Sequence, residues 1–173
     1  DLIDTDVLEK KNNAQIMAAD TDKFFEILLA KLEQDGLLED TVIIGGDVSW
    51  AMYLDECHPD FDYIQKLNGT KIILKGNHDY WWESITKLNK FVVDNGYDSI
   101  RFLYNNSYVI EDYAFCGTRG WIVPGDSRFK QDDSKAYERE LIRFELSATD
   151  MIKKIEMSEA KLTRVAVFHY PPF

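Results

Sequence analysis

Three short runs carry side chains with chemistry in them. "GGD" ends in Asp47, "KGNHD" contains Asn77, His78 and Asp79, and "VFHYPPF" contains His169. Each follows closely on an apolar, largely β-branched run, "TVII", "KIIL" or "RVAVF", so each polar group is expected at the mouth of a buried strand. Polar groups there carry a desolvation cost unless they find partners, and stability alone gives no reason to put an Asn-His-Asp run at such a point. Carboxylate, amide oxygen and imidazole are ligands for a hard or borderline divalent cation such as Mn, Fe, Zn or Mg. A carboxylate shared between two ions about 3.5–4 Å apart makes a hydrolytic two-metal centre, and phosphoryl transfer is a natural use for one.

Residues so far apart in the chain meet only if the fold brings strand ends together, and in open α/β sheets ligands bind at the carboxyl edge. The apolar spacing of Ile16, Met17, Phe24, Ile27, Leu28, Leu29 and Leu32 predicts a helix over about 13–34, stopped by Asp35-Gly36. Further helices are expected over 57–67, with Pro59 in the first turn, over 81–95, and over about 132–159 with a break near Thr149. Between them, 100–121 reads as strand-like runs divided by Asn-Asn-Ser and Glu-Asp, as in a meander. The three apolar runs are expected to be covered on both faces. The pattern is that of an α/β layer architecture with an added antiparallel portion.

Composition sets outer limits. With 173 residues, 45% hydrophobic and 29% charged, the chain is long enough for one domain with a full core. Its net charge of −11 repels polyanions, which argues against a protein that coats nucleic acid, while bound cations would reverse that sign locally and admit a small phosphate ester. Cys57 and Cys116 form no C-x-x-C pair and are expected to be buried or half-buried free thiols. No segment reaches the roughly 20 apolar residues of a membrane span and the start has no signal-peptide pattern, so the expected compartment is the cytoplasm. The tripeptides at 68–70 and 105–107 read as turns.

"GGDVSW", "KGNHDYWW" and "VFHYPPF", in this order and with "GD" about thirty residues before "GNHD", resemble the second, third and fourth blocks of the calcineurin-like metallophosphoesterase superfamily, in its bacterial phosphohydrolase form. The superfamily's blocks run D-x-H, G-D-x-x-D/E, G-N-H-D/E, a lone H, and G-H-x-H. The resemblance covers residues 41–173 and implies two mixed β-sheets packed face to face and flanked by helices, in a single domain over 1–173. It implies two divalent metal ions (Mn, Fe, Zn or similar), with Asp47 bridging them and Asn77 and His169 as ligands of the second. It further implies that a bridging hydroxide attacks the phosphorus of a monoester or diester, while His78 protonates the leaving oxygen and Asp79 orients the His78 ring. The pattern departs from the family in three places. Trp50 stands where an acid is usual, for which Asp55 or Glu56 is a candidate replacement, and neither D-x-H nor G-H-x-H occurs. The chain is therefore expected to be part of a longer protein lacking the first and last metal blocks, with evolutionary loss of activity as the rival explanation.

Arg119, bracketed by glycines in "CGTRGW", suits either bidentate contact with a substrate phosphate or a structural ion pair. Tyr80, Trp81 and Trp82 read mainly as core and helix start, with stacking on a substrate ring as the second reading. His58 reads as solvated. Two other functions stay open from the sequence: a non-catalytic binding or scaffold homologue with a degenerate metal site, and a nuclease, for which a basic rim would be needed.

Overall fold

The computed structural model describes residues 41–172, and the helix expected over 13–34 lies outside them. Six strands form two three-stranded sheets. In the first, β1 (Val42–Ile44), β2 (Lys71–Leu74) and β3 (Ile100–Leu103) run parallel in the order β1-β2-β3. In the second, β4 (Tyr108–Ile110) is antiparallel to β5 (Tyr113–Thr118), and β6 (Thr163–Phe168) is parallel to β5. The expected pair of sheets is present, although among the described residues only the second is mixed.

The sheets meet face to face. Ile72, Leu74 and Leu103 of the first form one buried cluster with Phe115 of the second, backed by Ile43, Tyr108, Val165 and Val167. Alternation along β2 and β3 turns Ile73 and Phe102 to the opposite face, where an aromatic layer forms. There Phe61 meets Trp81, Phe91 and Phe102 with ring centroids 5.4, 5.3 and 6.2 Å apart, within the range in which such pairs add to simple burial. Phe61 belongs to α1 (His58–Lys66) and Phe91 to α2 (Ile85–Asp94). The outer face of the second sheet is covered by α3 (Asp133–Glu156), whose Met151 and Phe144 lie against Ala114 and Cys116.

Local expectations are met with instructive differences. Pro59 sits in the first turn of α1, where its missing N–H costs nothing. The helix expected from residue 81 starts only at Ile85, capped by the Ser84 side chain, so Trp81 and Trp82 lie in the preceding loop and are buried there. α3 runs without a break at Thr149. The meander is interrupted: 104–107 carries the chain from the first sheet to the second, with Asn105 at φ 60° and Ser107 held by Asp150 of α3 at 2.7–2.8 Å. Of the three apolar strands only β2 is fully buried; β1 and β6 are sheet edges among the described residues and only partly covered. His58 is half-buried rather than solvated, its ring near Phe91 and 3.1 Å from the Tyr97 hydroxyl. Cys57 and Cys116 are buried free thiols, and burial pushes Cys57 up to about 12. No helix among the described residues is long and apolar enough to cross a membrane.

Two buried charges fix elements in place. Glu140 of α3 accepts from Thr118 Oγ1 at 2.6 Å, Arg143 Nη1 at 2.7 Å and Arg119 Nη2 at 3.1 Å, tying the helix to the end of β5. Removing one partner of such a buried network leaves uncompensated charge, so Glu140→Ala is expected to lower stability by about 3–5 kcal/mol in chemical denaturation. Lys71 is fully buried, its ammonium donating to the Leu67 carbonyl at the end of α1, and desolvation lowers its pKa to about 8 from 10.5. Because the folded pKa is the lower one, the unfolded chain binds more protons between about pH 8 and 10.5, and this group's contribution to stability rises over that window. Lys71→Met should therefore be stabilised relative to wild type at pH 7, with the advantage shrinking by roughly 1–3 kcal/mol by pH 10.5 after allowance for screening.

Candidate functional site

The carboxyl ends of β1, β2 and β6 converge, and a single buried carboxylate joins the first two. Asp79, 1% exposed, accepts from Gly76 N at 2.6 Å, Asp47 N at 2.9 Å, Val48 N at 2.8 Å and Trp81 Nε1 at 3.0 Å. Its two oxygens are thereby saturated by donors from both loops. The family resemblance implies that Asp79 orients the His78 ring; in the structure Asp79 staples the turn after β1 to the turn after β2, and the His78 ring lies beside Trp50, 5.0 Å between centroids. Trp81 was read as core; its burial is confirmed, and its indole N–H completes the staple.

The turns touch closely enough to require glycine. A Cβ on Gly76 would lie 2.0 Å from Asp47 Oδ1, and one on Gly46, at φ 108°, would lie 2.6 Å from the Gly76 backbone and 2.9 Å from His169 Nδ1. Asp47 itself is at φ 57°, a left-handed conformation that Asp tolerates better than most residues. Two bonds hold it there: its N–H donates to Asp79 Oδ2, and its Oδ1 accepts from His78 N at 2.9 Å. That second bond couples the position of His78 to that of Asp47.

Across the sheet boundary, His169 is fixed from both sides. The Arg119 carbonyl accepts from His169 N at 3.2 Å and Tyr170 N at 2.8 Å, and the ring's Nδ1 is 2.9 Å from the Gly45 carbonyl. Only an N–H can bond to a carbonyl oxygen, so Nδ1 carries the proton. Nε2 then faces Asn77 Oδ1 at 2.7 Å and Asp47 Oδ2 at 3.7 Å. Neighbouring ligands of one octahedral ion, each about 2.1 Å from it, are about 3 Å apart. The donor set of carboxylate, amide oxygen and imidazole therefore fits a divalent ion, although among the described residues no three His, Cys, Asp or Glu side chains cluster, the third donor here being an amide.

The structure thus brings Asp47, Asn77, His78 and His169 together, with Asp79 beneath them. Arg119 is engaged elsewhere. Its guanidinium pairs with Glu140, lies 4.5 Å over the Trp121 ring, and its side chain is 11% exposed, so of the two sequence readings the ion pair describes it. Glu56, a candidate replacement for the acid missing at Trp50, caps its own turn by accepting from Met52 N and Tyr53 N at 3.1 and 3.2 Å. Sequence reasoning missed the Gly45 carbonyl that sets the tautomer and the Arg119 carbonyl that holds the turn, because backbone groups carry no sequence signal.

No curated protein matches the chain, and no solved structure does. The family profile of the calcineurin-like phosphoesterases matches residues 16–173, a span that contains every residue of the site. The chain belongs to the calcineurin-like phosphoesterase family.

Proposed function

We propose that the protein hydrolyses a phosphate monoester or diester at a centre holding two divalent metal ions, manganese being the first to test. The observation that carries this reading is the meeting of Asn77 Oδ1, Asp47 Oδ2 and Nε2 of His169, a donor set suited to a divalent cation at the carboxyl edge of the sheets. Membership of a phosphoester-hydrolysing family that works with divalent ions supports it. When bound, such ions would neutralise the ester oxygens and lower the pKa of an attacking water. Asp47 would be the ligand common to both ions, with Asn77 and His169 completing one of them.

The chain's own residues contribute in distinct ways. Asp47 and His169 are held by backbone bonds, so the donor atoms are aimed before any ion arrives and little rearrangement is needed. His78, tied through its N–H to Asp47, stands on the Trp50 side of the cluster, where its ring would give a proton to the leaving oxygen. The expected substrate is a small phosphate ester rather than a nucleic acid polymer, because a net charge of −11 favours approach of a compact anion only where ions reverse the local sign. Two buried free thiols suit a reducing compartment, and we place the protein in the cytoplasm.

Turnover of p-nitrophenyl phosphate and of its bis ester by chelator-stripped protein should return on titration with Mn²⁺. His78→Ala should lower kcat by about 10²–10⁴-fold while leaving Mn²⁺ binding in calorimetry near wild type. His169→Ala should weaken Mn²⁺ binding itself. Mn²⁺ binding without turnover of either ester would favour a non-catalytic homologue that keeps the site.

A further inference from the structure

His78 stands between two exposed rings. Trp50, 51% exposed, lies 5.0 Å from its imidazole, and Tyr80, 56% exposed, meets it edge-on at 6.1 Å. Beyond them Met52, 57% exposed, and Tyr53, 67% exposed, continue the apolar surface into a groove also lined by Asp55, Glu83 and Phe91. Large apolar side chains left in water next to a polar site mark a binding surface more often than chance. These are not on a loose loop. Val48 N is held by Asp79, Ala51 N by Ser49 Oγ at 3.1 Å, and Met52 N and Tyr53 N by Glu56. The rings are therefore presented on a fixed frame, and little ordering entropy opposes stacking against them.

The position says which part of a ligand they meet. If His78 protonates the leaving oxygen, the leaving group lies on the His78 side of the phosphorus, which is the side of Trp50 and Tyr80. We propose that this aromatic lip is the leaving-group subsite and that it selects phosphoesters whose leaving group carries a planar aromatic ring, as an aryl or nucleoside ester does. The inference rests on the function proposed above. Asp55 and Glu83 line the groove, Glu83 paired with Lys87 at 3.0 Å, and these acids would disfavour a second phosphate, so a leaving group without further anionic charge fits best. Trp81 and Trp82, 1% and 9% exposed, form the buried wall of the groove.

The test compares phenyl phosphate and adenosine 5′-monophosphate with glycerol phosphate, in wild type and in Trp50→Ala, Tyr80→Leu and Tyr53→Ala, together with quenching of tryptophan fluorescence by unphosphorylated adenosine and by phenol. We expect the aromatic esters to have the higher kcat/KM. The ratio of aromatic to glycerol ester should fall about 5- to 50-fold in Trp50→Ala and Tyr80→Leu, with the quenching lost in Trp50→Ala. A difference between phenyl phosphate and adenosine monophosphate would tell the aryl from the nucleoside source. Equal use of all three esters, or a ratio unchanged by the substitutions, would overturn the subsite while leaving the hydrolase standing. Quenching by the free rings in a protein that hydrolyses no ester would retain the ring site and overturn the hydrolase, and neither quenching nor discrimination would overturn the inference outright.

Discussion

One buried carboxylate organises the carboxyl edge of the first sheet. Asp79 accepts four hydrogen bonds, three of them from backbone N–H groups on two loops that follow different strands. A charge 1% exposed is tolerable only because those donors replace its hydration. Hydrogen bonds to a charged group contribute about 1.5–3 kcal/mol each. That is enough to hold Asp47 in a left-handed conformation and to press Gly46 against Gly76 at distances no side chain would permit. Everything above it follows: the Asp47 carboxylate is aimed, the His78 N–H is bound to it, and Val48 begins the loop that carries Trp50.

The second constraint comes from the other sheet. β6 reaches the site only because β5 and β6 pair in parallel and the Arg119 carbonyl catches the turn after β6. The Gly45 carbonyl then settles which nitrogen of His169 is free. A ring bonded in this way through one nitrogen is suited to the ligand role proposed for it. The proposed cation site would thus be shared between two sheets, which pack through Ile72, Leu74, Leu103 and Phe115. Burial of charge also explains what Arg119 does: it belongs to the Glu140 network that fastens α3, and it serves the site through its backbone.

Much of this was legible in the residues. A strand that ends in Gly-Asp or Gly-Asn-His-Asp places polar groups at a sheet edge, and parallel strands put such edges side by side, so the meeting of Asp47 with Asn77 and His78 could be read from pattern. The role of Asp79 could not. Its neighbour in sequence is His78, but the chain reverses there, and its donors Asp47 and Val48 are 32 and 31 residues away. Period-two alternation looks the same in a meander and in a chain that changes sheets, so the crossing at 104–107 was hidden, as was the partial cover of β1 and β6. Arg119 needed knowledge of Glu140, which only the packing of α3 on β5 supplies. Trp50 was visible as a departure from the family's acid, and the structure leaves it exposed beside His78.

The most direct test of this account is Asp79→Asn, which keeps the shape but removes the charge and turns one acceptor into a donor facing donors. Mn²⁺ binding by calorimetry should be read beside far-UV circular dichroism. If the Asp79 staple sets the site, secondary structure stays near wild type while Mn²⁺ affinity falls by about tenfold or more, the scale of losing one or two charge-assisted bonds. Wild-type affinity in a folded Asp79→Asn protein would contradict it, and the aim of Asp47, Asn77 and His169 would then have to come from the sheets alone.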